Sequence, residues 1–169
     1  MKPNIIGVDP GLNGGVAIWD PVNDCLRTFV IPTEKGHDGK NHIDLFRLAR
    51  LLTFFSDKVE FAVVEEPASM PGQGVVSMFR FGHACGIIEG MLAALGIKTL
   101  LVKPSVWKGA MGLSRSKDLS RHRAAAVFSR WADQFAAKKS DGVAEAALLA
   151  KYGERFYRYG KSETKCNSE

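Results

Sequence analysis

Three short apolar segments rich in β-branched residues lie within the first 31 residues, and only turn-length connections separate them. The segments are residues 4–8, 15–19 and 25–31. A Pro-Gly pair closes the first segment, and a polar stretch with Pro21 and Asn23 joins the second to the third. Because strands joined by short turns run in opposite directions, this pattern predicts an antiparallel meander.

Beyond a predicted polar loop over residues 33–40, the apolar periodicity changes from that of strands to alternating helices and strands. The pattern predicts strands at 61–65 and 97–102 and helices at 42–55, 77–95, 104–110, 117–135 and 142–152. This order predicts an α/β fold with a mixed five-stranded sheet, an antiparallel meander followed by parallel strands, flanked by helices. We expect one domain over residues 1–153 and a polar, flexible tail over 154–169.

Composition excludes several classes of protein. The 169 residues suit one globular domain, and no uninterrupted apolar run reaches the roughly 18–20 residues of a membrane span. The first residues lack the apolar core of a signal peptide, so we expect a cytoplasmic protein without a membrane partner. The three cysteines have no paired spacing, which argues against a disulfide framework or a zinc knuckle. The sequence has no phosphate-loop motif, so we expect no nucleotide cofactor.

Two predicted strands end in acids. Asp9 closes the first strand, and Glu65 and Glu66 close the strand at 61–65. Because successive strand side chains point to opposite faces, only one of these two glutamates can share a face with Asp9. Taken singly, Asp9 also fits a turn that caps the following backbone amides, and the glutamates also fit a solvated strand end.

A second pair of acids, Asp141 and Glu145, lies one helical turn apart at the start of the last predicted helix. Asp141 also fits an N-cap and Glu145 a favourable charge near a helix start. If this helix reaches the rim where Asp9 and Glu65 end their strands, the carboxylates form a cluster that divalent cations would neutralise. Ligands made only of oxygen favour Mg²⁺ or Mn²⁺, and two such ions activate water for phosphodiester hydrolysis.

The net charge is +5, and the distribution is uneven. Residues 98–139 contain ten lysines and arginines but only two acids. Such a stretch fits a DNA-binding surface and equally fits a solvated basic face. The candidate DNA contacts are Lys103, Lys108, Arg115, Lys117, Arg121, Lys138 and Lys139.

Four segments resemble, in the same order, motifs of the RuvC-type Holliday junction resolvases of the RNase H-like superfamily. The strand motifs are Gly7-Val8-Asp9-Pro10-Gly11, continued by Gly15-Val16-Ala17, and Val63-Val64-Glu65-Glu66-Pro67. The helix motifs are Gly82-His83-Ala84-Cys85-Gly86 and the acidic segment from Lys138 to Leu148. The resemblance spans residues 5–151 and is nearest to phage-encoded and other divergent members.

The resemblance implies an RNase H-like fold and a homodimer that cuts opposed strands of a four-way DNA junction in recombination or repair. It implies two Mg²⁺ or Mn²⁺ ions and products with a 5′-phosphate and a 3′-hydroxyl. The metal ligands it implies are Asp9, Glu65, Asp141 and Glu145. It also implies that Lys108 and Lys117 hold the DNA near the site, Lys117 being a candidate catalytic residue. We expect the dimer contact along the glycine-bearing helix at 77–95.

The sequence departs from the family pattern at two places. The family's last helix often has aspartates three residues apart, whereas here the spacing is four and the second acid is Glu145. An aromatic wedge follows the equivalent strand in bacterial members, where this chain has Ala68. Met70, Phe79 or Phe81 are the possible replacements, although the helical spacing of the two phenylalanines favours a partly buried position.

Two alternatives to junction resolution stay open from the sequence. One is another RNase H-like nuclease, acting on RNA–DNA hybrids, flaps or other branched DNA. The second is a non-catalytic protein that binds branched DNA, against which the retained acids argue, because a binding module gains nothing from clustered negative charge. An actin-like ATPase shares the opening meander, but 169 residues leave no room for its second lobe.

Overall fold

The computed structural model describes residues 3–67, 74–113 and 117–163, without the side chains of 117, 118 and 157–163. The central sheet has five strands, which are β1 (Asn4–Asp9), β2 (Gly15–Asp20), β3 (Cys25–Val30), β6 (Val59–Glu65) and β7 (Lys98–Val102). They lie side by side in the order β3-β2-β1-β6-β7. The first three strands pair antiparallel, and β1, β6 and β7 pair parallel, which confirms the mixed sheet predicted from the sequence.

The side chains of the sheet alternate between two hydrophobic layers. Ile5 and Val63 face one layer, and Ile6 and Val64 face the other. Helix α5 (Asp141–Glu163) covers the first layer together with α3 (Pro104–Ala110) and α4 (Lys117–Val127). Helices α1 (Leu45–Ser56) and α2 (Val75–Ala94) cover the second layer. Both faces of the central strands β1, β2 and β6 are therefore buried, whereas the edge strands β3 and β7 are partly exposed.

Glycines permit the close approach of α5 to the sheet. A Cβ at Gly7 would lie 2.0 Å from the Ala146 carbonyl oxygen, and a Cβ at Gly142 would lie 2.3 Å from the Asn13 carbonyl oxygen. Gly14 and Gly142 also form a parallel β-bridge. No residue with a side chain fits at these contacts, so the glycines bring the first turn of α5 to the rim where β1 ends.

The structure corrects several predicted boundaries. The segment predicted as a loop over 33–40 contains β4 (Thr33–Lys35), which pairs antiparallel with β5 (Asn41–Ile43). Helix α1 therefore begins at Leu45 instead of residue 42. Its N-cap is Asp44, whose side chain accepts a hydrogen bond from the Arg47 backbone N–H.

The C-terminal helices also differ from their predictions. The predicted helix over 117–135 is two elements, because α4 ends at Val127 and a 3₁₀ helix covers Ser129–Phe135. A second 3₁₀ helix, Lys138–Ser140, leads into α5. Helix α5 continues to Glu163, past the expected boundary at 153, where the sequence predicted only a polar tail.

Helix α2 has an uneven environment. Ala84, Cys85, Ile88 and Leu92 are buried against the sheet, whereas its first two turns are exposed. Among the described residues, α2 is the one helix that is long and apolar enough to cross a membrane, judged by length and composition alone. Its buried side belongs to the same hydrophobic layer as α1, so in this structure it is a core helix with an uncovered N-terminal end.

Candidate active site

Three carboxylates from three separate elements converge at one rim of the sheet. Asp9 ends β1, Glu65 ends β6, and Glu145 lies in the first turns of α5. One carboxylate oxygen from each lies within 4.8 Å of the other two. Glu65 and Glu145 retain only 9% and 8% of their exposure, and Asp9 is half-buried. Mutual repulsion and burial together make such a group costly unless cations compensate it.

The register of the parallel pair β1 and β6 explains the convergence of the first two acids. Val8 lies beside Val64, so the next residues, Asp9 and Glu65, end neighbouring strands at the same level. Glu66 takes no part in the group, and its backbone N–H donates to the Val102 carbonyl oxygen. Of the two adjacent glutamates, the structure brings only Glu65 to Asp9.

Asp141 lies outside this group of carboxylates. Its Oδ1 forms an ion pair with Nε of Arg121 at 2.8 Å. Arg121 also donates through Nη1 to the Ala136 carbonyl oxygen. The structure therefore brings together three of the four acids expected from the sequence, and the role of Asp141 as a metal ligand stays a prediction.

Helix α3 contributes two adjacent side chains to the carboxylates. Nε1 of Trp107 donates to Glu65 Oε2 at 2.8 Å. Nζ of Lys108 lies 2.9 Å from Glu145 Oε1 in a largely buried ion pair. From α4, the buried Ser120 hydroxyl donates to the same Glu145 oxygen at 3.0 Å. Sequence reasoning missed Trp107 and Ser120, because only the folded helices bring them to acids that are distant in the chain.

The surroundings of Glu65 make its carboxyl harder to ionise than that of an exposed glutamate. Burial raises the pKa of the Glu65 carboxyl above its usual range. The hydrogen bond from Trp107 and the charge of Lys108 lower this pKa, while the neighbouring Glu145 raises it again. A divalent cation would remove the repulsion and favour the charged carboxylate, as a metal site requires.

The donor set suits a hard cation. The three converging side chains are carboxylates, and carboxylate oxygens are ligands that Mg²⁺ and Mn²⁺ prefer. Cys85 adds no thiolate, because burial and the charges of Glu89, Asp9 and Glu65 raise the pKa of its thiol to about 12. The Lys108 ammonium already compensates part of the negative charge, so the residues present fit a site for divalent metal.

The predicted DNA contacts have different positions in the structure. Lys103 precedes α3 and is exposed, and Lys138 and Lys139 are exposed on the 3₁₀ helix before α5. Lys108 and Arg121 are instead engaged with acids. Arg115 and the side chain of Lys117 lie outside the described residues, although the backbone of Lys117 begins α4.

The candidate replacements for the aromatic wedge also differ in their positions in the structure. Ala68 and Met70 lie outside the described part of the chain. Phe81 is half-buried, as expected, whereas Phe79 is 75% exposed and its ring stacks on His83. The expectation that Phe79 is partly buried was therefore wrong. It failed because the first turns of α2 extend beyond the layer that packs on the sheet.

No family model matches the chain, and no curated protein matches its sequence. Solved structures do match it. The Thermus thermophilus RuvC structure has a TM-score of 0.61 at 16% identity, over 93% of this chain and 96% of that chain. The T. thermophilus RuvC in complex with a Holliday junction substrate has a TM-score of 0.60 at 14% identity over the same shares.

A third match is the yeast mitochondrial Holliday junction resolvase Ydc2, with a TM-score of 0.51 at 12% identity. The match covers 95% of this chain and 81% of Ydc2. The chain therefore has the same fold as these RuvC structures, which confirms the fold class predicted from the sequence.

Proposed function

We propose that this protein is a metal-dependent DNA endonuclease that resolves four-way junctions by paired symmetric nicks. The observation that carries the proposal is the convergence of Asp9, Glu65 and Glu145 at the rim of a RuvC-like sheet. Known structures with this fold include a RuvC bound to a Holliday junction substrate. A binding protein without catalysis has no use for three converging carboxylates, so we favour the enzyme.

The three carboxylates would hold the metal, which we propose to be two Mg²⁺ or Mn²⁺ ions, with Asp141 as a further candidate ligand. Bound divalent ions supply an activated water and stabilise the leaving oxygen of the phosphodiester, giving a 5′-phosphate and a 3′-hydroxyl. The protein's own part is to hold these acids apart from bulk solvent in a fixed arrangement. Lys108 and Lys117 are the cations that we propose for stabilising charge on the reacting phosphate.

The DNA-binding surface that we propose combines the exposed Lys103, Lys138 and Lys139 with Arg115. Arg121 is buried and pairs with Asp141, so it would join this surface only if DNA displaced that ion pair. Lys138 and Lys139 directly precede α5, so phosphates bound there would lie near the start of the helix that carries Glu145. Since each phosphate contact releases counterions, we expect the affinity for junctions to fall steeply with salt.

We propose a homodimer whose contact uses the N-terminal half of α2. Val75, Val76 and Phe79 are 82%, 66% and 75% exposed, an apolar surface that a monomer gains nothing by presenting to water. A Cβ at Gly82 or Gly86 would meet no atom within 4 Å, so a partner helix has room to approach. A two-fold axis there would give two equivalent sites for two opposed strands of a junction.

The working compartment that we propose is the cytoplasm of a bacterial or host cell.

The test is cleavage of a synthetic four-way junction labelled on each strand, with Mg²⁺ or Mn²⁺, and binding assayed in Ca²⁺. We expect symmetric paired nicks by the wild type, and binding without cleavage by Asp9→Asn. Glu66→Gln is the matched control, because it neutralises an acid next to the site that does not join the group, and we expect it to cut normally. Cleavage of hybrids or flaps but not junctions would support the other RNase H-like activity. Binding without cleavage by the wild type would support the non-catalytic alternative.

A further inference from the structure

The indole of Trp107 has an unusual partner for a core side chain. Trp107 is fully buried within the hydrophobic layer beneath α5. An indole has one N–H donor, and burial makes that donor costly unless it is satisfied. Here it is satisfied by a carboxylate of the candidate metal site, Glu65 Oε2, at 2.8 Å. The packing of the indole and the orientation of that carboxylate are therefore coupled.

The local structure leaves the indole little freedom to move. Pro104 starts α3 directly after β7, the strand that pairs with β6, so the helix begins beside the end of the strand that carries Glu65. The backbone N–H of Leu113 closes the other end of α3 by donating to the Lys108 carbonyl oxygen. The ring packs in the core, and its N–H is directed at the Glu65 carboxylate.

The same helix also contacts the second buried acid. Lys108 follows Trp107 directly, reaches Glu145 Oε1 at 2.9 Å, and lies 5.1 Å from the Trp107 ring centroid. Two adjacent residues of α3 therefore contact two of the three carboxylates. Groups behind metal ligands that orient them in this way commonly contribute ten- to 100-fold to metal affinity.

We propose that Trp107 is a positioning residue that holds the Glu65 carboxylate in the orientation needed to bind a divalent cation. The inference rests on the proposed function, because it takes Glu65 as a metal ligand. Trp107 is fully buried and contacts the candidate site through Glu65, so we expect its effect to be on metal affinity and not on the chemical step.

The chain contains its own matched control. Nε1 of Trp19 donates to Glu154 Oε2 at 3.1 Å, so Trp19 is also a buried tryptophan bonded to a buried glutamate. Glu154 is not among the converging carboxylates. Trp19→Phe and Trp107→Phe therefore each remove an indole N–H donor from a buried glutamate. Trp19→Phe does so away from the candidate site, and Trp107→Phe does so within it.

The experiment measures Mn²⁺ binding to the full chain by electron paramagnetic resonance of the free ion, without DNA. We expect Trp107→Phe to weaken the affinity by roughly ten- to 100-fold and Trp19→Phe to change it by less than about twofold. In junction cleavage, we expect Trp107→Phe to raise the Mn²⁺ concentration for half-maximal rate while the rate at saturating Mn²⁺ recovers. Equal Mn²⁺ affinities of Trp107→Phe and wild type would overturn the positioning role and leave the proposed function intact. A wild type that neither binds Mn²⁺ nor cuts a junction would refute the proposed function itself.

A second measurement keeps the proposal testable if Trp107→Phe does not fold. The sequence has three tryptophans, so Trp19→Phe combined with Trp131→Phe leaves Trp107 as the only indole emitter. Bound Mn²⁺ is paramagnetic and quenches nearby fluorescence, so we expect Mn²⁺ to quench this emission with the same midpoint as the resonance titration. Emission that is unchanged at saturating Mn²⁺ would contradict contact between Trp107 and a metal ligand.

Discussion

The two acids at the start of α5 share a helix face but have different surroundings. Glu145 is buried, lies within 4.8 Å of Asp9 and Glu65, and is held by Lys108 and Ser120. Asp141, one turn earlier, has 31% of its side chain exposed and pairs with Arg121. Helical spacing makes two side chains point the same way, but neighbouring elements determine what each one meets. Here α3 and α4 lie over Glu145, while the helix start leaves Asp141 nearer the solvent.

The largest effect that distinguishes these acids is expected in catalysis. Glu145→Gln keeps the shape of the side chain but removes a converging carboxylate. We expect it to slow junction cleavage by at least about 1000-fold, or about 4 kcal/mol of barrier. Asp141→Asn should slow it by less than about tenfold, measured as single-turnover rates at saturating Mg²⁺. Equal losses of cleavage rate in the two variants would contradict this difference and place Asp141 among the metal ligands that the family resemblance implies.

The next effect concerns the docking of the helix that carries both acids. In Gly7→Ala, the new Cβ would lie 2.0 Å from the Ala146 carbonyl oxygen, so α5 must shift away from β1. We expect the free energy of unfolding to fall by about 3 kcal/mol in a urea titration. Gly90→Ala is the control, because its Cβ meets open space within α2 and away from the proposed dimer contact, and it should be neutral or stabilising by up to about 1 kcal/mol. Unchanged stability of Gly7→Ala would show that α5 is not pressed onto the sheet at this position.

The smallest expected effect is a pH dependence of stability that comes from Glu65. Glu145 has the Lys108 ammonium at 2.9 Å, whereas the direct donor to Glu65 is the neutral indole of Trp107. The pKa of Glu65 is raised from 4.5 by burial, so the folded metal-free protein binds this proton more tightly than the unfolded chain does. Stability from this group is complete below pH 4.5 and is lost as the pH rises through the folded pKa.

Glu65→Gln should therefore stabilise the metal-free protein at neutral pH, and this gain should disappear as the pH falls below 4.5. Thermal unfolding across this pH range in EDTA measures it. Adding Mn²⁺ should reverse the order, because only the wild type retains the ligand. A variant that is less stable than the wild type at neutral pH would show that the charged Glu65 is well compensated without metal.

Much of this molecule follows from local sequence patterns. Short apolar runs rich in β-branched residues and bounded by turns predicted the five strands of the sheet, and acids that close two of these runs indicated Asp9 and Glu65. The predictions of element type failed where the short-range pattern was weak or fitted two kinds of structure equally well. The β4–β5 hairpin is polar and has only three residues in each strand, and the 3₁₀ helix after α4 continues an apolar spacing typical of an α-helix.

The sequence by itself determined the order of elements, the acids at the strand ends and the pair of acids on α5, because each depends on neighbours within a few residues. Only the tertiary structure decided that Glu145 joins Asp9 and Glu65 while Asp141 pairs with Arg121. It also decided that Trp107 bonds to Glu65, which is 42 residues away in the chain. These contacts depend on how closely α3, α4 and α5 pack at one rim of the sheet, and no local periodicity encodes that distance.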